Sequence, residues 1–237
     1  AQFNGVSLNN QIMDTPNMLN DTWPTLLHLR QYKYALTGDI SEMFLRIRLH
    51  EEDQKYHRFI LNGKVYQWTR ILFGNKSSPN ISQKALKKLC KKYEKIYPVA
   101  VACILAWCYM DDTISSKEDE EELCQLATEL PLLLSHADMN ITKFYTNSLK
   151  ALEVLPKDRV AKEIHQFSDR DAVFEANKVL GMVWDASTDE LKFNSKYRTI
   201  EEWLEKFKVK NWTKRTVLKT TASTYDPLSL IAPLTVH

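Results

Sequence analysis

The run VAVACILAWCYM (99–110) holds no charged residue and stops at two adjacent aspartates, Asp111 and Asp112, followed by TISS. A stretch this apolar has to be buried, so it belongs at the centre of whatever the chain folds into. It is far too short to cross a bilayer and reads as a buried strand. TISS then returns antiparallel, which puts Asp111 and Asp112 in the tight turn of a hairpin. Carboxylates side by side repel, and each raises the cost of ionising the other. Solvent, a basic partner or a bound cation must offset that cost.

The 237 residues, 44% hydrophobic and 26% charged, suffice for one large domain or two small ones around a substantial core. The net charge of +2 decides nothing about a polyanionic partner. Cys90, Cys103, Cys108 and Cys124 form no CxxC pair and have no histidines at zinc-ligand spacing, which argues against a disulfide framework or a structural zinc. The opening AQFNGVSLNNQ lacks the apolar stretch of a signal peptide, and the chain reads as soluble with no membrane partner. It opens on Ala1 and closes on APLTVH, which reads as a segment of a longer polypeptide.

Residues 1–24 carry Asn, Asp and Pro repeatedly and read as an extended arm with short turns. WPTLLHLRQY (23–32) predicts a short helix with Pro24 in its first turn. Tyr34, Leu36 and Ile40 predict a strand ending at an acidic residue, and the alternation of FLRIRL (44–49) predicts another. YHRFIL and VYQWTR, joined at NGK, predict a hairpin. Ser77–Tyr97 reads as a helix with Ile81, Ala85, Leu89 and Ile96 on its apolar face and Lys84, Lys88, Lys91 and Lys95 on a second face. Ser116 and Asp119 suggest a capping box ahead of a helix carrying Leu123, Leu126, Leu130 and Leu133. ITKFY (141–145) and KVLGMVW (178–184) read as strands, with DASTDE as a turn before LKF. Residues 199–210 and 213–224 read as helices. The fold class is α+β: a sheet domain followed by a smaller, mainly helical unit.

The aspartates at the hairpin and Asp39, at the end of a strand that could lie alongside, form a set of hard oxygen ligands suited to Mg²⁺. The backbone carbonyl of Ile40 adds a neutral oxygen. Two such ions about 3.5–4 Å apart activate an attacking hydroxyl and neutralise a leaving pyrophosphate. Each residue alone has a plainer reading. Asp pairs cap and solvate turns, Asp39 suits a helix cap for ISEMF, and a lysine face is usually a solvated flank. EDEEE (118–122) suits a helix amino terminus. His28, His57 and His136 stand apart in sequence, which leaves a hydrolytic triad unsupported.

Taken in order, DISEMF (39–44), FGNKSSP (73–79), CYMDD (108–112), ITKFYTNS (141–148) and LGMVWD (180–185) resemble reverse transcriptases. FNGVSLNN, LRQYKYALTGD and the closing TYDPLSLIAPLTV are similar to the BEL/Pao class of long-terminal-repeat retrotransposons. The resemblance implies a polymerase palm, an antiparallel sheet with helices on one face, with partial fingers over 1–185 and the start of a thumb or connection over 186–237. It implies that Asp39, Asp111 and Asp112 hold two Mg²⁺ ions, with Mn²⁺ as an alternative, and that Asp111 is the better ligand of the pair. Phe44 matches the aromatic gate that excludes a ribose 2′-hydroxyl. Phe73-Gly74 and Ser78-Pro79 match the loop and helix start that bracket template and incoming nucleotide; Phe73 stands where retroviral enzymes often carry glutamine. Lys143 falls where a lysine near the triphosphate serves as general acid for pyrophosphate. Leu180-Gly181 matches the turn ahead of the primer grip, and the Lys84–Lys95 face gains weight as a phosphate-contacting surface.

The implied partners are an RNA or DNA template with primer, deoxynucleoside triphosphates, and polyprotein regions bearing protease, ribonuclease H and integrase. The implied setting is the cytoplasm or retrotransposon particles, with a nuclear stage. A fingers strand bearing triphosphate-binding basic residues is expected upstream of FNGVSLN. The competing readings are a catalytically silent relic or domesticated nucleic-acid-binding module and, more distantly, a small metal-dependent phosphotransferase.

Overall fold

A computed structural model describes residues 4–161, 178–193, 213–215 and 226–229. The amino-terminal arm contains the short helix α1 (Leu8–Gln11), with Ser7 as its cap. Helix α2 (Thr22–Leu29) follows and carries Pro24 in its first turn, as its sequence predicts. Strand β1 (Tyr34–Ser41) passes two residues beyond Asp39. FLRIRL is not a strand. Glu42 turns the chain with a left-handed φ of 53°, and Met43–Arg46 form one helical turn, α3, that buries Met43 and Phe44. Only Arg48 in this stretch makes a sheet-like bridge, to Arg70. Alternation over six residues fits a single helical turn followed by extended chain equally well.

After α4 (Glu51–Gln54), β2 (Arg58–Leu61) and β3 (Lys64–Gln67) form the expected hairpin. Asn62 and Gly63 both take positive φ, the backbone a tight two-residue turn requires. Helix α5 (Ser78–Tyr93) starts with Pro79 in its first turn. Its interior face is Leu86, Leu89 and Cys90; Ile96, placed on that face by the sequence, lies beyond the helix end and is exposed.

The apolar run forms a helix, α6 (Pro98–Trp107), and only Cys108–Tyr109 (β4) are strand. Two features select the helix. Pro98 at its first position brings a φ already suited to helical backbone. The buried carboxylate of Glu129 accepts from the N–H groups of Val99 (2.9 Å) and Ala100 (3.0 Å), satisfying donors that a helix start leaves orphaned. Apolar on nearly all sides, the run carries no period that separates helix from strand.

Strand β5 (Asp112–Lys117) leads into α7 (Glu120–Ser135). The cap of α7 is Asp119, whose side chain accepts from the Glu121 N–H at 3.1 Å. Ser116 is not part of a capping box: it is buried in β5 and its hydroxyl donates to the His28 carbonyl. Leu123, Leu126, Leu130 and Leu133 are buried, as their spacing predicts. Strand β6 (Asn140–Thr146), α8 (Leu149–Val154) and a 3₁₀ turn (Lys157–Arg159) follow. KVLGMVW is two strands, β7 (Lys178–Val179) and β8 (Met182–Asp185), reversed at Leu180-Gly181, and β9 (Glu190–Phe193) pairs with β8 across DASTDE. Nearly all of the helices predicted at 199–210 and 213–224 lies outside the described residues.

The central sheet has the order β4-β5-β1-β6, all antiparallel. On one face α5, α6 and α7 bury the main core with Leu36 and Ile40 of β1. The opposite face carries a second core, where Leu26 and Leu29 of α2 meet Ala35, Ile114, Tyr145 and the β7–β9 sheet with Trp184. Period-2 alternation sends Ala35 and Asp39 to that second face. The acidic residues therefore stand on the face away from α5, α6 and α7, toward the end of the strands where Asp39 pairs with Asp112.

Candidate active site

Strands β1 and β5 pair with Asp39 directly opposite Asp112. Tyr109 pairs with Asp112, which leaves Met110 and Asp111 as a two-residue turn, with Met110 at a φ of 56°. The Ile40 N–H donates to the Asp111 carbonyl at 2.8 Å and fastens the turn to β1. The hairpin placement read from the sequence holds, although the first arm is two residues of strand on the end of a helix. The structure thus brings Asp39, Asp111 and Asp112 to one end of the sheet.

The fourth group arrives through an irregularity. Between the pairs Thr37↔Tyr145 and Asp39↔Thr142, β6 holds one residue more than β1. This bulge sits at Lys143, whose φ is 54°, and a bulge re-aims a side chain. Lys143 Nζ donates to Asp39 Oδ2 at 2.6 Å, with side-chain exposures of 70% and 26%. Gly38 lies opposite. A Cβ there would meet Ile141 Cδ1 at 2.8 Å and Phe144 Cδ1 at 3.1 Å, so any larger residue would press those two side chains aside.

Burial, then the charges of Asp111 and Asp39, push the Asp112 carboxyl up to about 7. Burial first, and the charge of Asp39, also raise Asp111. The hydrogen bond to Asp39 raises Lys143. Ionising Asp111 and Asp112 is therefore costly in a set of hard oxygen donors, and the protein offsets only part of that cost. That is the chemistry of a divalent-cation site. Among the described residues, no three His, Cys, Asp or Glu side chains close into a metal-holding cluster in this conformation. The Asp39 oxygen is turned to Lys143.

These residues line an open cleft of about 760 Å³, with Thr37, Thr142 and Tyr145 from the central sheet, Asp158 and Arg159 from the turn beside β6, and Lys178 from β7. Phe44 is 5% exposed and meets the ring of Phe73, itself 66% exposed, edge-on at 4.8 Å. Met110 packs on the small cluster of Phe44, Leu49 and Ile71, which couples that ring pair to the aspartate turn. Gly74 has a φ of 84°. The loop after it is clamped by Asn9, which donates to the Gly74 carbonyl (2.7 Å) and accepts from the Lys76 N–H (2.9 Å).

The remaining sequence candidates fall elsewhere. Ser78 is buried, and its hydroxyl donates to the Leu72 carbonyl at 2.6 Å, so it holds the loop on α5 with half-buried Pro79 beside it. Lys84, Lys88, Lys91 and Lys95 are exposed, and none lines the cleft. Leu180 and Gly181 form the β7–β8 turn, with φ of 47° and 86°; Leu180 is buried in the second core. Sequence reasoning missed Arg159, Lys178 and Asn9. The first two come to the cleft only through tertiary packing, and no local pattern marks them. His28 proves to be buried and stacked on Trp107 at 3.8 Å between ring centres.

An antiparallel sheet with its main helical layer of α5, α6 and α7 on one face, and carboxylates at a hairpin turn and its neighbouring strand, defines a polymerase palm. Residues 6–151, more than half of the chain, match the family described as "Reverse transcriptase (RNA-dependent DNA polymerase)", and the chain belongs to that family. It is 25% identical over 168 residues to the Retrovirus-related Pol polyprotein from transposon gypsy of Drosophila melanogaster, which covers 66% of this chain and 16% of that protein. It is also 25% identical over 188 residues to the Enzymatic polyprotein of Figwort mosaic virus (strain DxS), covering 74% of this chain and 27% of the relative. The foamy viral protease-reverse transcriptase solved in complex with double-stranded DNA superimposes with a TM-score of 0.57 at 18% identity, over 96% of this chain and 34% of that one. This last likeness is one of fold. The chain spans well under a third of the length of both polyprotein relatives.

Proposed function

We propose that the chain is the catalytic part of an RNA-directed DNA polymerase that adds deoxynucleotides to a primer 3′ end on an RNA or DNA template. One observation carries the reading: the register that sets Asp39 opposite Asp112, with Asp111 in the adjoining turn, inside a reverse transcriptase family match. Asp39, Asp111, Asp112 and the carbonyl of Ile40 would hold two Mg²⁺ ions, or Mn²⁺, whose chemistry is activation of the primer hydroxyl and neutralisation of charge on pyrophosphate. Asp39 takes part once Lys143 releases its oxygen. Lys143, freed, is placed to give a proton to departing pyrophosphate. Phe44, braced by Phe73, sets the limit on substituents at the sugar 2′ position. Gly74, with Ser78-Pro79 behind it, shapes the template side; Leu180-Gly181 and the exposed lysines of α5 would contact primer and template phosphates.

Residues 1–185 serve as partial fingers and palm, and 186–237 as the start of a thumb or connection. The FNGVSLNN, LRQYKYALTGD and TYDPLSLIAPLTV segments favour the BEL/Pao class, which would place the chain in a polyprotein with protease, ribonuclease H and integrase regions. Such polyproteins work in the cytoplasm or in particles, with a nuclear stage. Primer extension on an RNA template, with and without Asp111→Asn, tests the reading. Extension should be lost in the variant while primer–template binding persists. Equal extension by both would refute the site assignment. Binding without any metal-dependent incorporation by the unaltered chain would favour a silent nucleic-acid-binding relic.

A further inference from the structure

Besides its aspartates, the cleft is lined by two cations outside the central sheet, Arg159 and Lys178, with Asp158 next to the first. The 3₁₀ turn Lys157–Arg159 is fixed beside β6, since Val160 bridges to Phe144 and the Ala161 N–H donates to the Phe144 carbonyl at 3.0 Å. This places Arg159 in the cleft wall, with Lys178 at the start of β7 in the same wall. The other lysine of the cleft, Lys143, is committed to Asp39. Arg159 is half-buried, yet its guanidinium has no hydrogen bond or ion pair among the described residues, and Asp158 beside it does not take it up. Lys178 is exposed, and its ammonium is likewise unpaired among them. A guanidinium carries five donors that need acceptors, and its planar fork matches two oxygens of one phosphate. An unpaired fork on an anchored turn, lining the same cleft as a carboxylate cluster, is a site for an anion that also approaches those carboxylates.

We infer that Arg159, with Lys178 as second cation, binds the sugar-phosphate backbone of the primer strand beside the aspartates. The inference rests on the polymerase reading above. Two observations select the primer over the incoming nucleotide. The ring pair Phe44–Phe73 does not line this cleft, and the Leu180-Gly181 turn follows Lys178 within three residues. Phosphate recognition is common to both sources, so the test must separate them.

The test titrates the whole chain, without metal, onto a fluorescent RNA-template/DNA-primer duplex at several salt concentrations. A fluorescent deoxynucleoside triphosphate analogue is titrated separately. Arg159→Gln should weaken duplex binding about tenfold and reduce the slope of log affinity against log salt by about one. Arg159→Lys should recover part of the affinity, Lys178→Gln should add to the loss, and nucleotide affinity should stay unchanged. Thermal melting of Arg159→Gln should match the unaltered chain, because the guanidinium makes no contact to lose. Unchanged duplex affinity with weakened nucleotide binding would assign the phosphate to the triphosphate and overturn the inference. A lowered melting temperature would overturn it too, by making the residue structural. Failure of the unaltered chain to bind duplex would remove the polymerase reading as well; binding with a silent Arg159→Gln removes this inference alone.

Discussion

At Asp112 the fold and the chemistry pull against each other. Burial and the neighbouring carboxylates push its carboxyl up to about 7, whereas an unfolded aspartate titrates near ~3.9. Between those values the folded protein keeps a proton that the unfolded chain has released. Stability therefore falls as pH rises through that window, and above it the ionised carboxylate is a standing cost. A divalent cation would remove that cost. In the presence of EDTA the melting temperature should drop between about pH 4 and pH 7, and Asp112→Asn should flatten much of the drop. Adding Mg²⁺ should raise the melting temperature at pH 8 and do little at pH 5. An equal response at both, or an unchanged profile in the variant, would place the titrating group elsewhere. Asp111 and Asp112 were readable in the sequence because a tight turn is a local event; Asp39 joins them through the pairing of β1 with β5, two residues before the strand ends. The tie of Lys143 to Asp39 was not, because it depends on an inserted residue in a strand that otherwise reads as plain β.

At the level of elements, that insertion and Gly38 belong together. The bulge in β6 brings Ile141 and Phe144, both fully buried, against one point of β1, where an added Cβ would crowd both. Gly38→Ala should cost roughly 1–3 kcal/mol by overpacking, measured by chemical denaturation. Ile141→Val in the same background should recover part of it by shortening the side chain in conflict. Full stability in Gly38→Ala would mean the sheet shifts to admit a methyl, and the Asp39–Lys143 contact would have to be re-examined. The elements that sequence reasoning recovered share a cause. The NGK hairpin, the Pro-started α5 and the leucine stripe of α7 each carry their own turn, cap or period. The misread ones, α3 and α6, depend on partners from elsewhere. The Glu129 carboxylate that helps make VAVACILAW a helix comes from α7. Pro98 was the one local sign of it.

Across the whole molecule, the β8–β9 hairpin is joined to the palm by contacts between residues far apart in sequence. Asp189 accepts from the Arg30 guanidinium of the α2 end and, at 3.1 Å, from the Trp184 indole N–H. Trp184 is fully buried and meets Tyr145 edge-on at 5.3 Å, while the Tyr145 hydroxyl accepts from the Ala186 N–H at 3.2 Å. Because β8 also follows the Leu180-Gly181 turn, this junction sets how that turn stands relative to the aspartates. Asp189→Ala leaves the indole N–H of a buried tryptophan without its acceptor and should cost about 1–3 kcal/mol. Asp189→Asn keeps an acceptor and loses only a partly exposed ion pair, so it should cost no more than about 1 kcal/mol. The difference between the two, read from denaturation midpoints, isolates the hydrogen bond from the charge. Arg30→Met should behave like Asp189→Asn. If the junction positions the turn, Asp189→Ala also weakens primer–template binding while leaving nucleotide affinity unchanged, and the other two variants do so only slightly. Equal losses in all three would mean that the ion pair, and not the buried indole, holds the hairpin to the palm.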